Sequence, residues 1–339
     1  VTSHSQPPQS STESHTAGHT ARRAAHDAAP HDAPPHALLV RVALIALTLH
    51  AFFSVFSAYA FSTFLIPPYP EWLQTPTNQL VLRHGYRFGG QFTVLLGAIA
   101  GFAFLAGRVG IGRTTKVFGV AFVLSLGAEL AGTSTGLPFG VYGYTDLLGY
   151  KILNLVPFNI PTSWFYMLVA SLAICGRLMT PRTTNTAKWW WAFVASLVLT
   201  AWDVSMDPAM VKTQHWLWNV PDLSNASAVS QWIGTPFFYG MPLTNWLGWI
   251  LTGTLVARAM LQIVPPTDWS TTVAPSRIPL VLYGVNGMLP IAICFAQNMP
   301  VAGVFGLIAM ALPLVLAARS GMPQRAVVGA ELDTVAHAT

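Results

Sequence analysis

From residue 38 onward the chain consists of long apolar runs separated by short polar breaks, at roughly 38–66, 89–107, 117–133, 160–179, 189–207, 237–261, 278–297 and 300–318. Most approach the length of about 20 residues that a helix needs to cross bilayer hydrocarbon. The pattern predicts an all-α fold, a polytopic transmembrane helical bundle of about eight helices. Proline marks several ends. Pro67, Pro68 and Pro70 are expected to close the first helix, Pro161 to sit in the first turn of the fourth, and Pro208 to stop the fifth. The connection at 298–300 is so short that the last two runs also read as a kinked re-entrant hairpin.

The flanks differ in kind. Residues 1–36 are rich in Ser, Thr, Ala, Pro and His and lack apolar periodicity, so they are predicted to be a disordered polar tail. The membrane domain is expected over 37–320, followed by a disordered tail over 321–339. Six of the ten histidines lie in the first tail, irregularly spaced, a pattern of incidental rather than built metal binding. A polar stretch of this length is not a charged segment leading directly into an apolar one, so no cleavable signal peptide is expected before the first helix.

Composition agrees with the pattern. The chain is 53% hydrophobic and 9% charged, against about 25% charged in a soluble domain. Cys175 and Cys294 both fall in apolar runs, which leaves neither a disulfide framework nor a zinc cluster. The net charge of +5 comes from basic residues scattered singly through short loops, so nucleic acid is not an expected partner. Eight alternating spans put thirteen Lys and Arg on one side and four (Arg83, Arg87, Lys151, Lys212) on the other. The positive-inside rule then makes this an integral membrane protein of the cell membrane with both termini in the cytoplasm.

Acidic residues are few, and most sit in tails or polar loops. Glu129 and Asp203 do not. Each interrupts an apolar run, where an ionised carboxylate costs about 2.5–3.5 kcal/mol even on lenient insertion scales. Asp207 follows Asp203 by four residues, on the same helical face. Two carboxylates that close do not both ionise, which leaves an acid beside a base. A helix-terminal position before Pro208 also accounts for Asp207, and Asp146 in 143–149 has the context of a turn residue. Aromatic groups crowd the same half of the chain, among them Tyr142, Tyr144, Trp202, Tyr239 and Trp249. Trp202 adjoins Asp203, and Trp249 lies one turn after Asn245, so both are placed to face a cavity where ring faces stabilise a cation. Asn245 is suited to orient a carboxylate or a water. Trp189, Trp190 and Trp191 read as a cytoplasmic interfacial belt, as do Trp216 and Trp218 on the other side.

The stretches GAELAGTSTGLPFGVYGYTDLLG (127–149), VPFNIPTSWFYML (156–168), AWDVSMDPAM (201–210), WLW (216–218) and FYGMPLTNWLGW (238–249) resemble the integral-membrane carotenoid 1,2-hydratases of the CruF type, a carotenoid biosynthesis protein family. The resemblance covers about residues 120–255 and implies addition of water across the terminal C1=C2 bond of an acyclic or monocyclic carotenoid, giving a tertiary alcohol. On that reading Glu129, Asp203 and Asp207 are the catalytic acids and bases. Tyr142, Tyr144, Asp146, Trp202, Tyr239, Asn245 and Trp249 position substrate or water. No metal or organic cofactor is required, and the expected partners are the carotenoid, water, membrane lipid and neighbouring carotenoid-pathway enzymes. Three other chemistries suit buried acids: an integral-membrane lycopene cyclase, a membrane prenyltransferase using Asp203 and Asp207 as a magnesium motif, and a proton-coupled transporter.

Overall fold

The computed structural model describes residues 1–2, 37–66, 68–219 and 222–320; apart from the first two positions the expected tails, including the six histidines of the first, fall outside the described residues. Among the described residues, eight helices are long and apolar enough to cross a membrane. They are α1 (Ala37–Ser62), α2 (Pro76–Val109), α3 (Ile111–Thr135), α4 (Asn159–Leu178), α5 (Asn185–Lys212), α6 (Leu243–Ile263), α7 (Ile278–Ala296) and α8 (Pro300–Arg319). Helices α7 and α8 are separate, joined by a tight turn.

The apolar runs located every helix, and several boundaries moved, three of them for clear local reasons. Helix α2 begins at Pro76 rather than near residue 89, because Thr75 caps it, accepting from the Asn78 amide at 3.3 Å, with Pro76 in its first turn. The polar residues Arg83 and His84 hide that first portion from hydropathy. Helix α5 runs through Pro208 to Lys212 instead of stopping at it. Helix α6 starts at Leu243 rather than 237, because β5 (Pro236–Phe238) and β6 (Met241–Pro242) form a hairpin whose turn places Tyr239 and Gly240 at positive φ.

Helix α4 is the central pillar. Every residue from 161 to 176 is buried, as expected of a helix enclosed by others rather than amphipathic against lipid. At its end Arg177 donates to the carbonyls of Ala274 (2.7 Å), Pro275 (3.2 Å), Ser276 (3.1 Å) and Ala317 (3.2 Å), tying α4 to α8 and the α6–α7 connection. The same end carries the Arg113–Asp268 ion pair at 2.6 Å. Trp191, expected in the interfacial belt, is instead buried there, its Nε1 donating to the Thr180 carbonyl at 3.1 Å. Trp189 and Trp190 are exposed, as a belt requires.

The opposite end is roofed by loops. In them β1 (Tyr142–Tyr144) pairs antiparallel with β4 (Trp216–Trp218), Tyr142 opposite Trp218 and Tyr144 opposite Trp216. Strand alternation turns these four aromatics to one face, while Leu217 is exposed on the other. A second small hairpin pairs β2 (Lys151–Ile152) with β3 (Val156–Pro157).

Candidate active site

Under that roof the bundle encloses a cavity of about 220 Å³, lined by α1, α2, α3, α4, α5, α6, α7 and the β1–β4 pair. This is the volume of about seven waters. Glu129, Asp203 and Asp207 all line it, brought from two helices to one end of the bundle, and all three are buried.

Glu129 lies near the end of α3, where the chain turns back through β1. Gly132, one turn on, leaves room for that return: a Cβ there would lie 2.8 Å from the Phe139 ring and 3.1 Å from the Tyr142 hydroxyl. Tyr142 and Tyr144 therefore reach back onto the helix and both donate to Glu129 Oε2, Tyr144 at 2.8 Å, while Trp164 Nε1 donates to Oε1 at 3.1 Å. Burial and the adjacent Glu129 charge push both tyrosine hydroxyls well above their ordinary range, so they remain donors at any physiological pH.

Asp203 and Asp207, one turn apart on α5, share one amide. Asn245 Nδ2, in the first turn of α6, donates to Asp203 Oδ2 at 2.9 Å and to Asp207 Oδ2 at 3.2 Å. Asp207 Oδ1 receives the Trp216 indole N–H, so Trp216 belongs to the site and not to an interfacial belt. Asp203 Oδ1 is buried without a hydrogen-bond partner, and so is Asn159 Oδ1 in another wall of the cavity. No protein group donates to either acceptor, so each is suited to a ligand or water that does.

Aromatic faces form the remaining walls. Trp164 and Trp249 stack with ring centroids 4.6 Å apart, and Trp202 meets Trp249 edge-on at 6.2 Å. Trp202 is held by its N–H to the Asn286 carbonyl at 3.0 Å.

Asn286 belongs to a second polar group that sequence reasoning missed. Tyr166 donates to Asn286 Oδ1 at 3.1 Å, and Asn286 Nδ2 lies 2.7 Å from the Leu282 carbonyl and 3.2 Å from His50 Nε2. His50 Nδ1 lies 2.8 Å from the Thr93 carbonyl. That carbonyl only accepts, so Nδ1 carries the hydrogen and Nε2 accepts from Asn286, which fixes a neutral imidazole. His50 and Asn286 each interrupt an apolar run, the same signal that singled out the carboxylates.

Two expected residues fall elsewhere. Asp146 is fully exposed at its side chain and pairs with Lys151 at 2.9 Å, which holds its carboxyl below the usual range. Tyr239 occupies the β5–β6 turn and is absent from the cavity wall. Asp146 instead borders an open groove of about 1290 Å³ with Arg83, Lys212, Gln214 and Gln297. Phe61 and Tyr86, in edge-to-face contact at 5.6 Å, line both the groove and the cavity and form the partition between them.

These features define a polytopic membrane protein whose bundle holds buried carboxylates and tryptophan faces around an apolar cavity. The chain belongs to the carotenoid biosynthesis protein family, whose profile matches residues 89–313. It is also 29% identical over 168 residues to the bisanhydrobacterioruberin hydratase of Haloarcula japonica, a match covering 49% of this chain and 50% of that one. The chain thus spans about half the length of the curated relative it matches. No solved structure matches it.

Proposed function

We propose that this protein is a carotenoid hydratase that adds water across the terminal C1=C2 bond of an acyclic carotenoid end. One observation carries the reading: three buried carboxylates, one with an unpartnered oxygen, face an apolar, tryptophan-walled cavity. The family and the hydratase relative support the substrate class and the reaction type.

An alkene is a very weak base, so a carboxylic acid must deliver the first proton. Asp203 is suited to this, since Oδ1 is free of internal partners. Its proton passes to C2, the π pair forms the new C–H bond, and a tertiary cation develops at C1. Glu129 receives three donors, which favour its charged form; in that form its charge, with the faces of Trp164, Trp202 and Trp249, stabilises the cation. Water then bonds to C1 through oxygen and releases a proton to Asp207. Transfer of that proton to Asp203, its neighbour on the same Asn245 amide, restores the starting state. The net change is addition of one water.

Asn159 Oδ1 is placed to hold the water, and the polar groove beyond Phe61 and Tyr86 supplies it. By the positive-inside rule this end faces away from the cytoplasm. The test is expression in cells that accumulate lycopene, with pigments separated by chromatography and mass. A product heavier by one water supports hydration. An isomer of unchanged mass identifies a cyclase, and unaltered lycopene removes both.

A further inference from the structure

The cavity holds only the end of a long substrate, so the rest of the molecule must leave the bundle somewhere. The cavity that holds the carboxylates is also lined by Ser57 of α1, by Gly85, Gly89, Gly90 and Thr93 of α2, and by Ile293 of α7. The glycines of α2 fall into two kinds. A Cβ at Gly97 would come within 3.1 Å of His50 and Tyr166, and at Gly101 within 2.9 Å of Tyr166, so these permit close packing. At Gly85, Gly89 and Gly90 a Cβ would meet nothing within 4 Å. Packing does not require glycine there.

All three are exposed and yet line the cavity, so they form its rim. Two aromatic contacts bridge α1 and α2 on either side of this rim: Phe53 to Phe92 at 5.2 Å and Phe61 to Tyr86 at 5.6 Å. Eight helical residues separate Phe53 from Phe61, about 12 Å of axis. Between these rungs α1 offers only Ser54 and Ser57 to the cavity. Phe88 and Phe92 are exposed beside Gly89 and Gly90, so the rim is apolar there, while the exposed Arg83 and His84 make it polar beside Gly85.

We infer that this window between α1 and α2 is the binding site for the polyene chain, which enters from the bilayer between Ser54 and Ser57 on one side and Gly85, Gly89 and Gly90 on the other. The inference rests on the carotenoid reading of the site, and the unpartnered Asp203 oxygen marks the inner end of the path. A side chain at Gly89 fills the window without touching the acids.

The test titrates lycopene into the purified full-length protein in lipid nanodiscs and follows saturable quenching of tryptophan fluorescence, beside product mass in lycopene-accumulating cells. Gly89→Leu and Gly85→Leu are expected to weaken binding by about tenfold or more, as overpacking of a binding site does. Gly89→Ala should bind as wild type. Gly119→Leu places the same side chain at another α2-independent position with open space on α3 and controls for the substitution itself. Wild-type affinity in both Leu variants overturns the window. Wild-type protein that binds lycopene, loses binding in Gly89→Leu and forms no hydrated product would sustain the window and sink the hydratase reading.

Discussion

Replacing Glu129 by Gln separates the electrostatic role of this residue from its structural one. The shape is conserved, but a carboxylate that accepts three hydrogen bonds becomes an amide with one accepting oxygen. Trp164 Nε1 can only donate, so the amide oxygen must turn to it, leaving the amide N–H groups toward Tyr142 and Tyr144. Those hydroxyls can rotate and accept. Three charge-assisted bonds of about 1.5–3 kcal/mol therefore give way to neutral ones of about 0.5–1.5 kcal/mol, a loss of about 3 kcal/mol in all. Against this, removing a charge from membrane depth recovers about 2.5–3.5 kcal/mol. The two nearly cancel, so the variant should fold, with a melting temperature within a few degrees of wild type. Catalysis has no such compensation. Losing one preorganised electrostatic contact to a developing charge costs about 100- to 1000-fold in rate. The assay pairs thermal unfolding of purified protein with product mass from lycopene-fed membranes. Wild-type activity would remove Glu129 from the chemistry, and a protein that fails to fold would show that its hydrogen bonds are chiefly structural.

Asp203→Asn should abolish hydration while leaving the protein in the membrane, because the Asn245 contact survives and the transferable proton does not; turnover at wild-type rate would assign the acid elsewhere. Trp216→Phe removes a donor from Asp207 and keeps an aromatic ring near Tyr144, so activity should fall, read from the same product assay, with a stability loss of about 1–3 kcal/mol seen in thermal unfolding. Arg177→Met strips donors from four carbonyls at the far end and should lower stability by about 2–3 kcal/mol, measured by thermal unfolding. His215, in the loop leading into β4, has its pKa pushed down to about 4 by burial, against about 6.5 in an unfolded chain. The unfolded form therefore binds the extra proton first, and stability contributed by this group is lost as pH falls from 6.5 toward 4. His215→Gln should show a shallower decline in melting temperature across that window.

Most of the bundle was legible in the sequence because membrane helices announce themselves by length and apolarity, with no tertiary context needed. What escaped depends on contacts between distant segments. Pro208 reads as a stop, yet α5 continues through it to Lys212 among close neighbours, with Cys294 of α7 donating to the Ser205 carbonyl at 3.3 Å. The β1–β4 pairing joins residues more than seventy positions apart, and only that pairing reveals Trp216 as a ligand of Asp207 rather than a belt residue. Carboxylates were legible because their cost in hydrocarbon is high. His50 and Asn286 obey the same logic at lower cost, and attention to neutral polar residues within apolar runs would have found them. Asp146 and Tyr239 sit in turn-forming sequences, and turns are where the structure leaves them.

The position of the acids along the membrane bears on what becomes of the cation. Protonation at C2 is common to hydration and cyclisation, and the outcome depends on whether water or the chain's own alkene reaches C1 first. A cyclase must keep its pocket dry and wide enough for the chain to fold on itself. Here the acids lie just beneath the loops, and an aromatic pair, Phe61 and Tyr86, lines both the cavity and an open groove. The unpartnered Asn159 oxygen takes a donor, and water is a donor whereas an alkene is not. On the hydratase reading, that acceptor favours water over the chain's own alkene. On the proposed reading, acids close to the polar loops and an acceptor for water direct the cation toward an alcohol rather than a ring.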